Sequence, residues 1–541
     1  MTSRGSQVEV SKYEADEDSI VATYPEVRPG VGCVTSYRGH SSLGRSPLRS
    51  PSLTGVSRRG AVRQTFPMAS SSPAPVSARE AVERLLERIA IVEPNTNAIC
   101  TLHPEALAQA DLLDAEAAER GVRGPLHGRA VLVKDNIDTH DLATTAGSLA
   151  LASAPPPTRD ALLVQRMRDA GMIVLGKTNL SEWANIRDES STSGWSAYGG
   201  LTRNPYGLNR SAGGSSSGSG AAVAAGLAPY AVGTETDGSI TSPAAFNGCV
   251  GIKPTVGTVP TTGVVPISSS QDSPGPMAMT VRDAASLLTV LAAKSRDYGG
   301  HAVPGRLAGK RIGVPRTTYW GYSSHADAAA ERALGLLAAE GATIVDHTDV
   351  PVHEDQAGED ELLVLLAEFR AGVDDYLSTR TGEVPRTLRE IIDFNRSHAQ
   401  TELAHFGQSF FEQALAGPRA GSPEHRAARE RGLAATRSGG IDHVLRAHEL
   451  DALVTPSYPP AHPIDLINAE TCAGSCSRPT AIAGYPLVTV PSELAAGLPV
   501  AVSFWGTADS EGTLIEIAHG YESARDRSSG PLAAPTFSTF V

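Results

Sequence analysis

Chemistry concentrates between Gly213 and Gly257, a stretch reading GGSSSGSGAAVAAGLAPYAVGTETDGSITSPAAFNGCVGIKPTVG. Two hydroxyl-bearing glycine turns flank a small-residue apolar segment. The first turn, Gly213-Gly214-Ser215-Ser216-Ser217-Gly218, can present backbone N–H groups and hydroxyls to a ligand, because glycine tolerates the backbone angles that expose them. The second runs from Thr234 through Glu235, Thr236, Asp237 and Gly238 to Ser239. A hydroxyl at the end of such a turn, preceded by several N–H groups, has the form of a nucleophile with its own oxyanion hole. A flexible Gly/Ser loop followed by a core helix has the same composition.

Three mechanistic templates test the stretch. A phosphate-binding P-loop needs Lys and then Ser or Thr after its second glycine, and Gly218 is followed by Ser219, so that template fails. A dinucleotide fingerprint needs a third glycine where Val223 stands. The hydrolase elbow G-x-S-x-G fits Gly214-Ser215-Ser216-Ser217-Gly218 and makes Ser216 a competing nucleophile. A base is available upstream. Gly128 to Asn136 reads as a β-branched strand ending in Lys134-Asp135-Asn136, which puts an ammonium at the strand's carboxyl end, where α/β sheets place their sites. Lys177, in the strand-like Met172 to Asn179, is a second candidate, and an ordinary solvated lysine fits either pattern.

The whole stretch resembles the signature of the amidase signature family, serine hydrolases that cut amide bonds with a Ser-Ser-Lys triad. Gly248 to Thr255 (GCVGIKPT) is similar to the family's G-x-x-G-x-K-P-T element, and Gly176-Lys177-Thr178-Asn179 to its GKTN segment. The resemblance covers about residues 77–525. It implies Ser239 as nucleophile, Ser215 as bridging serine and Lys134, in its K-D-N context, as the base. A lysine in that role must be neutral, and burial lowers its pKa as required. The N–H groups of Thr236, Asp237, Gly238 and Ser239 are the implied oxyanion donors. Asp237 and Trp195 are candidate substrate-binding residues, and no metal or organic cofactor is needed. Asp237 stands where many members carry glycine, and Thr241 where they carry arginine; the T-E-T-D-G-S-I form is similar to bacterial peptide amidases. The implied fold is α/β: a mixed, largely parallel central sheet covered by helices. The implied activity is hydrolysis of carboxylic amides, peptide C-terminal or amino-acid amides foremost. A glutaminase subunit of a tRNA-dependent amidotransferase and a non-catalytic binding protein are the alternatives.

The elements that must position these groups alternate as an α/β sheet requires. Ser77-Ala78-Arg79-Glu80 is a capping box opening a helix with apolar residues Val82, Leu85, Leu86 and Ile89 at helical spacing. Further helices are expected over about Pro104–Arg120, Asp160–Ala170, Val281–Lys294 and Ala326–Ala339. Strands are expected around Gly309–Pro315 and Thr343–Val345, with a loop over Pro260–Pro276. Residues 357–450 read as a helical insertion, in which His398 and His405 are spaced for one helix face. The amidase domain spans 76–530. Residues 1–75 have no apolar periodicity and, from Val27 to Arg79, no Asp or Glu. They are expected to be disordered, with Met68 a plausible true start.

Composition bounds the partners. A net charge of −13 argues against a nucleic-acid surface and suits small-molecule or peptide substrates. No run of about 18 apolar residues is present, so no membrane span is expected. Five scattered cysteines, Cys33, Cys100, Cys249, Cys472 and Cys476, suit a reducing cytoplasm rather than a disulfide framework. Cys472 and Cys476 lack a second zinc-like pair, so no metal site is expected.

Overall fold

The strand Ala130–Lys134 is buried along its whole length, and its pairing explains where Lys134 ends up. It lies between Ile173–Thr178 and Tyr230–Glu235, parallel to both, with Val133 opposite Val232. The ammonium therefore emerges beside Thr234 at the start of the second glycine turn, 100 residues further along the chain. In the computed structural model, which describes residues 77–471 and 473–541, these three strands belong to one eleven-stranded sheet. Its order is Ile99–Leu102, Ile173–Thr178, Ala130–Lys134, Tyr230–Glu235, Ser273–Ala278, Val250–Lys253, Leu487–Ala495, Leu498–Trp505, Ala452–Pro456, Arg311–Val314, Thr343–Asp346.

The sheet is mixed, as expected, but not largely parallel. Parallel pairing is confined to the two flanks, and six of the ten pairings between neighbours are antiparallel. The reason lies in the connections. Parallel neighbours need a long crossover, as the helix Leu162–Asp169 provides between Ala130–Lys134 and Ile173–Thr178. The two-residue turn Ala496-Gly497 can only return Leu487–Ala495 antiparallel onto Leu498–Trp505.

Helices cover the sheet where their caps and apolar faces predict. Ser77 caps Ala78–Thr96 by accepting the Glu80 N–H at 3.1 Å, and Asn97 closes that helix in the left-handed conformation. Val281–Leu291 is capped reciprocally: Thr280 accepts the Asp283 N–H at 3.1 Å and donates to its carboxylate at 2.7 Å. Two expectations are corrected. The Pro/Ser/Gly stretch ends in a buried strand, Ser273–Ala278, rather than in loop. Its prolines, Pro274 and Pro276, alternate, so their missing donors fall on one edge, and Val250–Lys253 pairs only beyond them, at Met277 and Ala278. His398 and His405 do not share a helix face. His398 ends the helix Leu388–Ser397 and stacks on Phe394 at 4.0 Å, whereas His405 lies in the loop beyond the short helix Ala399–Glu402 and meets Trp195 edge-on.

Between Thr343–Asp346 and Ala452–Pro456 the chain is mainly helical, from Glu354–Ser378 through Pro423–Thr436 to Asp442–Ala447. This segment is clamped to the core by a buried trio. The Arg187 guanidinium meets Glu182 and, at 3.7 Å, Glu402, all three side chains being inaccessible. Glu402 also accepts the Leu149 N–H at 2.7 Å. Beyond residue 530 the tail still packs: Phe537 N–H donates to Pro205 O at 2.9 Å, and Leu208 N–H to Ser538 O at 2.7 Å. Cys100, Cys249 and Cys476 are free thiols. The expectations for residues 1–75, Met68, Cys33 and Cys472 lie outside the described residues.

Candidate active site

The two glycine turns meet because a small-residue helix lets them. Ser217–Ala224 is built of Ser, Gly, Ala and one Val and is buried at every position. A side chain at Gly218 would place its Cβ 2.2 Å from the Ala98 carbonyl oxygen and 2.5 Å from that of Asn179, so only glycine admits this approach. Ser216 locks the turns together. Its N–H donates to the Ser239 carbonyl at 3.1 Å, and its hydroxyl donates to Thr234 O at 3.1 Å while accepting the Thr234 N–H at 3.2 Å. The Ser216 hydroxyl is thus occupied by strand backbone, which counts against the elbow.

Ser215 faces Lys134. The Lys134 Nζ, fully buried, donates to Ser215 Oγ at 2.7 Å, to Thr234 Oγ1 at 2.9 Å and to Thr234 O at 3.2 Å. Burial pulls this ammonium down to about 7 from its ordinary 10.5, against the opposing charges of Asp272 and Glu235. Lys177 has a different environment. Its Nζ pairs with Asp135 Oδ1 at 3.1 Å and donates to Ile137 O at 2.7 Å, Thr144 Oγ1 at 3.1 Å and Ala143 O at 3.2 Å. An ion-paired, fully bonded ammonium is a structural group, so the two lysines are separated by their contacts.

Ser239 lies at the second turn, 8% exposed, with Ile240 between it and the helix Thr241–Asn247. Glu235 shapes that turn: its Oε2 accepts the N–H groups of Ile240 at 2.7 Å and Thr241 at 2.9 Å. Gly238 takes φ +77°, and a Cβ there would sit 2.7 Å from the Tyr458 hydroxyl. Among the described residues, none of the N–H groups of Thr236, Asp237, Gly238 and Ser239 donates to a protein acceptor. Four consecutive free donors beside a hydroxyl can receive a developing oxyanion.

The two candidate substrate residues fall in different surroundings. Asp237 is half-buried at the turn, and its Oδ1 is buried without a partner. Trp195, 6% exposed, packs edge-on against His405 at 5.0 Å and Phe406 at 5.2 Å, with the Arg187 guanidinium 5.5 Å over its ring. Sequence reasoning missed Thr234, Asn136, Gln271 and Asp272. Asn136 Nδ2 donates to Thr234 Oγ1 at 3.0 Å, and the Thr236 hydroxyl donates to Asp272 Oδ1 at 2.6 Å. The strand-end positions of Asn136 and Thr234 were readable, but nothing in the spacing links them.

Comparison with known proteins identifies the family. Residues 80–515 match the model of the Amidase family. A protein of Arabidopsis thaliana named "Probable amidase" is 37% identical over 472 residues, covering 83% of this chain and 87% of its own length. A glutamyl-tRNA(Gln) amidotransferase subunit from Symbiobacterium thermophilum is 35% identical over 469 residues, covering 83% and 93%. The crystal structure of native peptide amidase from Stenotrophomonas maltophilia superposes with a TM-score of 0.80 at 43% identity, covering 85% of this chain and 96% of that one. With the matched segment spanning both glycine turns, both lysine strands and the C-terminal strands, the chain belongs to the amidase family and is an amidase.

Proposed function

We propose that this amidase hydrolyses peptide C-terminal or amino-acid amides to acid and ammonia through Ser239, Ser215 and Lys134. The observation that carries the reading is the 2.7 Å bond from a fully buried Lys134 Nζ to Ser215 Oγ, in surroundings that favour the neutral amine. Neutral Lys134 accepts the Ser215 proton as Ser215 takes the proton of Ser239. The freed Ser239 oxygen bonds to the amide carbon, and the carbonyl oxygen takes the negative charge opposite the free N–H groups. The C–N bond then breaks, the relay returns its proton to the leaving nitrogen, and ammonia departs. Water attacks the acyl-serine through the same relay in reverse. The free N–H groups contribute roughly 10²-fold or more in rate per donor removed. The similarity to a peptide amidase supports the substrate class.

Ammonia release from an N-acyl dipeptide amide by the wild type, lost in Ser239→Ala, tests the reading. A Ser239→Ala variant that still releases ammonia overturns it. The 35% identity to an amidotransferase component favours a second reading, glutamine hydrolysis inside a complex. Hydrolysis of glutamine but not of peptide amides, with co-purifying subunits, selects that one.

A further inference from the structure

The hydroxyl and the carbonyl of Thr236 are held by two consecutive residues of one loop. Its hydroxyl donates to Asp272 Oδ1 at 2.6 Å, and its carbonyl accepts from Gln271 Nε2 at 3.4 Å. Gln271, only 3% exposed, uses the same nitrogen to donate to Glu361 Oε1 at 2.8 Å. Asp272 is fixed in turn, its Oδ2 accepting the N–H groups of Ile267 at 2.8 Å and Ser268 at 3.0 Å. One step back, Glu368 Oε2 gathers the Ser268 hydroxyl at 2.7 Å and the Ser270 N–H at 3.0 Å. Glu361 and Glu368 stand two turns apart on the helix Glu354–Ser378 and so share a face. The helical insertion grips this loop at two points, and the loop grips Thr236.

A peptide carbonyl and the N–H of the following residue lie in one plane and point in opposite directions. Drawing the Thr236 carbonyl towards Gln271 therefore turns the Asp237 N–H away from the loop, and that N–H has no protein acceptor among the described residues. At 3.4 Å this bond is long, and the Gln271 side chain is held in place by its shorter bond to Glu361. We propose that Gln271, held by Glu361, is a positioning residue that sets the Thr236–Asp237 peptide plane and so aims the Asp237 N–H at the oxyanion. This rests on the second glycine turn being the site of acyl transfer. A donor aimed in advance stabilises charge that exists only in the transition state, so its loss lowers kcat rather than raising KM.

The test uses an N-acyl dipeptide amide as substrate and a peptide aldehyde as the inhibitor that adds to the serine. Gln271→Met keeps the side chain's length and removes its donors. Its kcat is expected to fall about 10- to 100-fold with KM within about threefold, and aldehyde affinity to fall in parallel with kcat/KM. Affinity for the carboxylic acid product should be unchanged. Glu361→Gln retains an acceptor for Gln271 and should keep kcat within about threefold, whereas Glu361→Ala should behave as Gln271→Met does. If Gln271→Met does not fold, the Glu361 pair gives the same reading. Wild-type kcat in Gln271→Met or Glu361→Ala overturns the proposal, as does an equal loss of product and aldehyde affinity. Activity retained in Ser239→Ala would instead overturn the site assignment beneath it.

Discussion

The Ser216 N–H donates to the Ser239 carbonyl at 3.1 Å, so the two glycine turns are joined through backbone while the Ser215 hydroxyl, one residue earlier, is left to Lys134. Adjacent serines thereby do different work, and substitution can separate them. Ser215→Ala interrupts the proposed relay and is expected to lower kcat by about 10²-fold or more. Ser216→Ala strips two hydrogen bonds from the Thr234 backbone and should cost about 1–3 kcal/mol of stability. Fluorophosphonate labelling of Ser239 should survive in Ser216→Ala. Loss of labelling with stability unchanged would make Ser216 the reactive serine.

The Lys134 environment predicts a pH limb. In the proposed relay the base acts as the neutral amine, so kcat/KM should rise with pH through an apparent pKa near 7 and level off above it. Stability follows the same group. Between about 7 and 10.5 the unfolded chain holds a proton on Lys134 that the folded chain does not, so this contribution to stability rises with pH across that window. Denaturant unfolding of wild type and Lys134→Met at several pH values checks the sign: the wild type should gain relative to the variant from pH 7 upward.

Asp237 carries a buried carboxylate oxygen without a hydrogen-bond partner beside the proposed nucleophile, and buried polar atoms normally have one. We propose that a substrate N–H or ammonium supplies that partner. Asp237→Asn should raise KM for substrates bearing that donor about tenfold or more and leave kcat within a few-fold, the scale of one hydrogen bond to a charged group. Equal KM values for substrates with and without the donor, in wild type, would count against this role.

Lys177→Met should be a stability variant. It leaves the buried Asp135 carboxylate without its cation, which typically costs about 3–5 kcal/mol. Urea unfolding reads the loss, and the folded fraction should keep its fluorophosphonate reactivity.

What the sequence disclosed follows the range of each signal. Local signals were strong: the Ser77 cap, the apolar run that became Ala130–Lys134, and the two glycine turns. Relations across the chain were weaker. Whether Lys134 or Lys177 faces the serines depends on strand register, and the K-D-N resemblance separated them where hydrophobic pattern could not. Pro274 and Pro276 disguised a central strand because their tolerance depends on which edge a neighbour leaves unpaired. Gln271 and Asp272 carried no motif, since their partners lie on a turn and a helix distant in sequence.

The Glu182–Arg187–Glu402 trio has a consequence for how the molecule melts. It sets two carboxylates against one guanidinium with no solvent access, one of them supplied by the helical segment between the sheet's last parallel strands. Peeling that segment away would expose Arg187 and Glu182 to water and strip the Leu149 N–H of its acceptor. The segment and the sheet are therefore expected to unfold in a single calorimetric transition, with the segment's amides exchanging no faster than those of the strands beneath.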